Sequence, residues 1–355
     1  MILVDFNSLD ACEHFALEYY LATERDLGET ALLLWRTEPT LMVGKYQNAR
    51  LEINLPLARA LGVKIVRRLS GGGTIYTDPG GWQFSFIDRG GGEEIQFESY
   101  IAPVVSALRA MGVPARFNGR NDLTVDGRKF SGNAQYRVAG ATVHHGSLLF
   151  DTDLARMEAL TTPSEEKLCS KSIRSVRERV TNLREHIGRT MTVEAFGRRL
   201  AEALAPDGSV CELNGGDSAR IREIAAKRFE GWDNAIGAAP AFGIERSGRL
   251  DGGEVSFRLD IRRGRIEGCA VSGDFFAAVD ASAFESALKG CPYRTEDVRA
   301  ALVRADLDRA IYCASAGELA QIIAGDGEAK SFGNESGSGM GGNAIGERRC
   351  SPAVD

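Results

Sequence analysis

The sequence predicts an α+β protein with two sheet-bearing domains, and three observations lead there. Short apolar strand signals separated by turns crowd residues 31–150. Helical periodicity dominates 153–230. Past a stretch rich in Gly, Ala and Pro at 231–241, the two-residue strand period returns. With 355 residues, 43% of them hydrophobic, the chain is long enough to bury a core in each domain.

Leu9, Cys12, Phe15, Ala16, Tyr19 and Tyr20 recur at helical spacing, so 9–26 reads as an amphipathic helix. Segments 31–35 and 40–43 are short apolar strands. A strand at 63–66 runs into a glycine-rich loop, and 83–87 alternates as a further strand. Ile101, Val104, Val105 and Leu108 share one face of a helix over 99–111, which Gly112 stops. Residues 123–130 carry a hairpin signal, because Asp126-Gly127 accepts the two positive φ angles of a tight turn. A strand follows at 144–150. Thr192 caps a helix bearing Phe196, Leu200 and Leu204, and another holds Ile221, Ile224, Ala225 and Phe229. The domain boundary is placed between 236 and 237. Beyond it Val255, Phe257, Leu259 and Ile261 alternate, Arg263-Gly264 turns, and 266–271 runs back. Ser315-Ala-Gly-Glu318 is a capping box ahead of Leu319, Ile322 and Ile323. Gly and Ser dominate from Gly325, so 326–355 is expected to be a disordered tail.

Several classes are disfavoured. A net charge of −6 argues against a general nucleic-acid binder. No run of 18 apolar residues marks a membrane span, and a start without basic residues but with Asp5 does not read as a secretory signal. The seven cysteines are scattered without a CxxC pair, which removes the usual zinc spacing and suits a reducing cytoplasm, the expected location.

Four segments are candidates for chemistry. In Arg67-Arg68-Leu69-Ser70-Gly71-Gly72-Gly73, three glycines after a strand let the backbone approach a ligand, while two arginines add charge for a phosphate or carboxylate. The alternative is a turn flanked by solvated arginines. Gly119-Arg-Asn121-Asp122 leads into the hairpin that places Lys129, a candidate to neutralise a reacting phosphate, or a merely solvated lysine. Asn121 and Asp122 are candidates for nucleotide or Mg²⁺ contacts. His144-His145-Gly146 lacks metal-binding partners, so one histidine lines a pocket or both sit satisfied in the core. Between Lys171 and Asn182, Arg174, Arg177 and Arg179 form either a nucleotide clasp or a solvated basic helix.

Taken in order, these segments resemble the lipoate–protein ligase A family, together with 15–21, Val43-Gly-Lys-Tyr-Gln-Asn48 and 52–54. The resemblance continues through Phe229-Glu-Gly-Trp232, Pro240-Ala-Phe242 and Ser272-Gly-Asp-Phe-Phe276, and covers nearly all of 1–325. It implies a mixed β-sheet catalytic domain of the biotin-protein-ligase type, flanked by helices, over 1–236, and a small α/β accessory domain over 237–325. It also implies ATP and Mg²⁺ as cofactors. The expected activity is adenylation of lipoate or octanoate, then transfer to a lysine of lipoyl carrier domains: 2-oxoacid dehydrogenase E2 subunits or the glycine cleavage H protein.

By the same resemblance, Lys129 is the catalytic lysine contacting phosphate and acyl carbonyl. Arg68, Ser70, Gly71, Gly72, Gly73, Tyr76, Asn121, Ser175 and Arg177 are expected to bind ATP or the acyl adenylate. Val43, Gly73 and His145 would line the lipoyl pocket, and Asp122 would meet Mg²⁺. The stretch 168–182 resembles a loop that closes over the adenylate and excludes water. Departures fall at the expected pocket wall. The family pattern His-Asp-x-Gly-Asn-x-Asn reads Thr77-Asp-Pro-Gly-Gly81-Trp-Gln83 here, His14 replaces an asparagine, and Asn133 stands where several members have serine. A same-fold octanoyl or lipoyl acyltransferase, working through a cysteine thioester, is disfavoured because no cysteine lies between Cys12 and Cys169. A non-catalytic lipoate-binding protein is the remaining alternative, and retention of Lys129 argues against it.

Overall fold

The structure is a computed structural model that describes residues 1–47, 49–92, 94–161, 179–188, 190–231, 234–235, 244–262, 265–325 and 330–331. Strand β1 (Ile2–Asp5) leads to α1 (Ala11–Thr23), whose first turn is capped by the Asp10 carboxylate accepting from the Cys12 amide. Next come β2 (Ala31–Trp35), β3 (Thr40–Val43), the short helices α2 (Ala49–Glu52) and α3 (Leu55–Ala60), β4 (Lys64–Arg67), β5 (Ile75–Thr77), β6 (Trp82–Asp88) and α4 (Phe97–Ala110). Strands β7 (Arg116–Phe117), β8 (Asp122–Val125), β9 (Arg128–Val138) and β10 (Ala141–Leu148) form an antiparallel meander. At the β8–β9 turn φ is +50° for Asp126 and +74° for Gly127, as the Asp-Gly pair predicts. Helices α5 (Leu154–Leu160), α6 (Arg184–Ile187) and α7 (Val193–Leu204), strand β11 (Val210–Glu212) and helix α8 (Gly215–Arg228) complete this part.

Eight of these strands make one mixed sheet in the order β11-β1-β2-β6-β10-β9-β8-β7, with β1 parallel to β2 and β11. Alternation in the strands divides the apolar residues between its faces. Leu33, Trp35 and Val143 pack with Phe15 of α1 and Ile221 of α8, whereas Leu32, Phe84 and Phe86 pack with Phe97 and Leu108 of α4 and Phe196 of α7. Each fully buried side chain of this size stabilises the fold by roughly 1.5–3 kcal/mol. A three-stranded sheet, β4-β3-β5, sits apart. Its Leu41, Val43 and Tyr76 pack on Ala49, Ile53, Ala58 and Leu160, while Met42, Val66 and Ile75 join the α1 side of the main sheet.

The C-terminal part pairs β12 (Ile244–Leu250), β13 (Gly253–Arg262) and β14 (Arg265–Gly273) antiparallel. Helices α9 (Ala281–Leu288), α10 (Thr295–Arg304) and α11 (Ala316–Ala324) cover them. Val255, Phe257 and Leu259 point into one core with Phe284, Leu302 and Ile323. The Ser315–Glu318 capping box forms as predicted. Strand β12 escapes sequence reading because its interior, Glu245 to Arg249, contains no apolar residue. Inside the predicted disordered tail, β15 (Lys330–Ser331) pairs with β12. The rest of that tail, the 236/237 boundary, the Arg263-Gly264 turn, Ser175 and Arg177 lie outside the described residues.

Candidate active site

Where β4 ends, the glycine loop is held in shape by the arginine that precedes it. Arg68 is buried and spends its guanidinium on the loop: Nε donates to Ser70 Oγ at 3.0 Å, Nη1 to the Met42 carbonyl, and Nη2 to the carbonyls of Gly71 and Gly73, each at 2.8 Å. Burial, with neighbouring Arg67 adding to it, lowers its pKa to about 10. Arg67 donates to the carbonyls of Gly44, Lys45, Gln47 and Ala235. Both arginines expected to meet an anion therefore serve main-chain carbonyls here. Gln47 adds a clamp, its Oε1 accepting from the Gly44 amide and the Thr74 hydroxyl. Glycine is required where chains cross: a Cβ on Gly44 would stand 1.9 Å from the Gly72 oxygen, and one on Gly71 would stand 1.9 Å from the Phe275 oxygen.

Ser70 joins this loop to the sheet. Its Oγ lies 2.7 Å from His145 Nε2, and His145 Nδ1 lies 3.0 and 3.1 Å from the two Glu18 oxygens. Arg68 already donates to Ser70 Oγ. A chain of contacts thus runs from Arg68 through Ser70 and His145 to Glu18. Glu18 is fully buried and also accepts from Ser85 at 2.6 Å and Tyr136 at 3.4 Å. The sequence carried a signal for it: Glu18 falls three residues after Phe15, on the apolar face of α1. Its neighbour His144 points to the other face, among Tyr100, Phe84 and Phe97, with Nε2 3.4 Å from Asn133 Oδ1.

On the opposite wall, the β8–β9 hairpin sets Lys129 beside Asp122, with Nζ 2.6 Å from the carboxylate. Gly132 makes room for this lysine, since a Cβ there would stand 3.0 Å from Nζ. Asn121 and Asn133 bridge β8 and β9, each side-chain amide donating to the other's carbonyl at 3.0 Å. The Thr181 amide donates to the Lys129 carbonyl, which ties the end of the predicted closing segment to the hairpin.

Between the two walls lies a cavity enclosing about 590 Å³, counting its open mouth. Of the predicted site residues, Arg68, Gly72, Gly73, Asn121, Lys129 and His145 line it. Four others do not. Ser70 lies beneath the surface, bonded to His145, and Gly71 packs on the Phe275 carbonyl. Val43, expected in the acyl pocket, and Tyr76, expected along the adenylate, both turn to the far face of the small sheet. Their strand neighbours Met42 and Ile75 take the lining positions, because successive strand residues face opposite ways. Among the departures from the family pattern, Gln83 and Asn133 line the cavity. Thr77 is instead bonded to Thr37, and Gly81 lies against Thr152. His14 stacks behind Trp35 at 4.6 Å.

Sequence reasoning missed Phe15, Trp35 and Phe276 as lining residues. Phe276 arrives from the C-terminal part, which seats on the loop through several contacts. The Gly72 amide donates to the Phe275 carbonyl at 2.9 Å, Tyr46 stacks on Phe275 at 4.5 Å, and Lys45 pairs with Asp280 at 2.7 Å. Asp280 is held down to about 2 by the Lys45 ammonium and by its bonds to Ser282.

Comparison with known proteins places these features in a family context. Residues 10–205 match the family described as lipoyl protein ligase A/B catalytic domain, and residues 239–323 match the bacterial lipoate protein ligase C-terminus. The lipoate-protein ligase LplJ of Bacillus subtilis is 35% identical over 300 residues, spanning 82% of this chain and 91% of the relative. In fold, the chain resembles LipL1 of P. falciparum, solved in complex with lipoate. The TM-score is 0.72 at 22% identity, covering 85% of this chain and 94% of that one. It also resembles a lipoate-protein ligase A solved with ATP bound, at a TM-score of 0.55 and 21% identity, covering 66% and 98%.

Proposed function

This chain belongs to the lipoate–protein ligase family, and on that premise we propose that it attaches lipoate to a carrier lysine in two ATP-driven half-reactions. In the first, the lipoate carboxylate attacks the α-phosphate of ATP and pyrophosphate leaves. In the second, a neutral lysine amine on a lipoyl carrier domain attacks the acyl carbonyl and AMP departs. E2 subunits of 2-oxoacid dehydrogenases and the glycine cleavage H protein are the acceptors this reading names, and octanoate is the alternative acid.

The observation that carries it is the polarity of the cavity. One end presents Lys129 Nζ, partly exposed and set against Asp122, beside Asn121 and Asn133. The other end offers Phe15, Trp35, Met42 and Ile75 to a hydrocarbon chain. A cation at the polar end stabilises charge developing on phosphate and carbonyl oxygens. Gly72 and Gly73 admit the nucleotide close to the backbone, and Arg68 holds the loop for it. Ser175 and Arg177 complete the adenylate contacts that this reading names.

Mg²⁺ is held by one or two carboxylates together with substrate phosphates. Among the described residues no three His, Cys, Asp or Glu side chains cluster as a metal site. Asp122, beside Asn121, fits the role of single carboxylate under a nucleotide-borne ion, which would neutralise phosphate charge. Residues 1–236 form the catalytic domain, 237–325 the accessory domain and 326–355 a tail.

Acyl transfer through a cysteine thioester fits this site poorly. Cys12 is buried in the first turn of α1, its Sγ 3.6 Å from the Phe229 carbonyl, and burial raises its thiol to about 12. The test is pyrophosphate release from Mg-ATP on adding lipoate, with octanoate in parallel. If neither acid elicits release, the activation reading fails, and with it the assignment of a ligase over a binding protein.

A further inference from the structure

Gln83 is 3% exposed and lines the cavity, yet its amide has no hydrogen-bond partner among the described residues, and its Oε1 is sealed from solvent. The polar groups around it are all engaged. Ser85 bonds Trp35 and Glu18, His145 is held by Ser70 and Glu18, and Ser147 lies 3.4 Å from the Gly132 amide. With Oε1 sealed, Nε2 is the atom of this amide that a ligand in the cavity can meet, and it can only donate, so the group it suits is an acceptor.

Register places the amide relative to the lysine. Trp35 pairs with Gln83 and Gln83 with Ser147, Ser147 Oγ meets the Gly132 amide, and Gly132 pairs with Asp122, so one row crosses the sheet from the apolar end to the Lys129–Asp122 pair. Gln83 and Gly132 lie two strand spacings apart, about 10 Å. Nζ stands over Gly132 and Gln83 lines the cavity from the same face of the row, so the two donors flank the intervening space.

Building on the ligase reading above, we propose that Gln83 is a catalytic residue whose Nε2 donates to the acyl carbonyl oxygen of the bound adenylate, opposite Lys129. When the carrier amine attacks, the C–N bond forms and the π pair moves onto that oxygen. Gln83 and Lys129 together hold the developing oxyanion. Collapse restores the carbonyl, breaks its bond to the phosphate oxygen and expels AMP with the electron pair, while the ammonium proton passes to water.

The experiment is single-turnover transfer from preformed lipoyl-AMP to a purified lipoyl domain. Gln83→Leu, close in volume, is expected to slow transfer by about 10²-fold, as for loss of one oxyanion donor, while KM for the carrier stays near wild type. Transfer within about 3-fold of wild type by a Gln83→Leu protein of unchanged Tm overturns the proposal. Should that variant lower Tm, Gln83→Glu decides. It keeps the chain length, and transfer relative to wild type must recover as pH falls and the new carboxyl regains a proton to donate. A pH profile parallel to wild type overturns the proposal instead. Failure of the wild-type protein to transfer from lipoyl-AMP contradicts the ligase reading itself, a different outcome from failure of the Gln83 variants.

Discussion

The two walls of the cavity treat positive charge in opposite ways. On the glycine-loop wall Arg68 is 5% exposed, with donors fixed on three carbonyls and Ser70. Across from it the Lys129 side chain is 37% exposed and its ammonium faces one carboxylate, Asp122. A planar fork with every donor committed shapes backbone, whereas a flexible ammonium with donors to spare can meet a substrate. Similar charge thus does two jobs, one structural and one chemical, and substitutions should separate them.

The largest separation is expected at Lys129. Lys129→Ala should cut lipoate-dependent pyrophosphate release by about 10²–10³-fold, with Tm unchanged because the side chain supports little packing. A Tm loss matching the activity loss would erase the contrast. Arg68→Leu should do the reverse and destabilise the fold by about 3 kcal/mol or more, since it strands buried carbonyls that a charged donor now satisfies. Arg68→Lys should not restore it, because an ammonium cannot fork to Gly71, Gly73 and Met42 together. Thermal melts check both variants.

Met42 and Val43 sharpen the comparison within one strand. Met42→Ala should raise KM for lipoate by about 10-fold, the scale of a lost apolar contact in a pocket. Val43→Ala should leave KM alone and cost about 1–3 kcal/mol of stability.

The smallest effect on activity at neutral pH is expected from histidines outside the reacting end, which instead carry a pH dependence of stability. Burial lowers His144 to about 3 and His14 to about 4, from an ordinary value of 6.5. The unfolded chain binds their protons first, so their neutral forms favour folding fully above pH 6.5. That contribution falls as pH drops through 6.5 towards 4 and 3, by up to about 1.4 kcal/mol per pH unit for each histidine. Tm should decline over that window, and His144→Phe should flatten the decline. An unchanged slope in that variant would show that His144 does not contribute.

Much of this contrast was legible in the sequence, and the illegible part has a physical reason. The glycine loop, the Asp-Gly turn behind Lys129 and the pocket histidine were all readable, because each is local and carries its own backbone or chemical signature. Where the arginine donors go was not, since their acceptors at Met42 and Gly44 lie 26 and 23 residues before them and Ala235 lies 168 after. The phase of β3 and β5 was also hidden. Strand period fixes that Val43 and Met42 face opposite ways but not which one faces the ligand. Phe276 approaches from the C-terminal part through a Phe275–Gly72 contact that no local pattern announces. Glu18 and Gln83 are polar residues at buried positions, and such conflicts between residue type and burial tend to mark functional sites.

The most direct test of the ligase reading is mass spectrometry of a purified lipoyl domain incubated with this protein, Mg-ATP and lipoate. A Lys129→Ala arm and an ATP-free arm run alongside. We expect the lipoyl mass increment on the domain only with wild-type protein and ATP, and little or none from Lys129→Ala. An increment that forms without ATP, or one that Lys129→Ala produces at the wild-type rate, would contradict it.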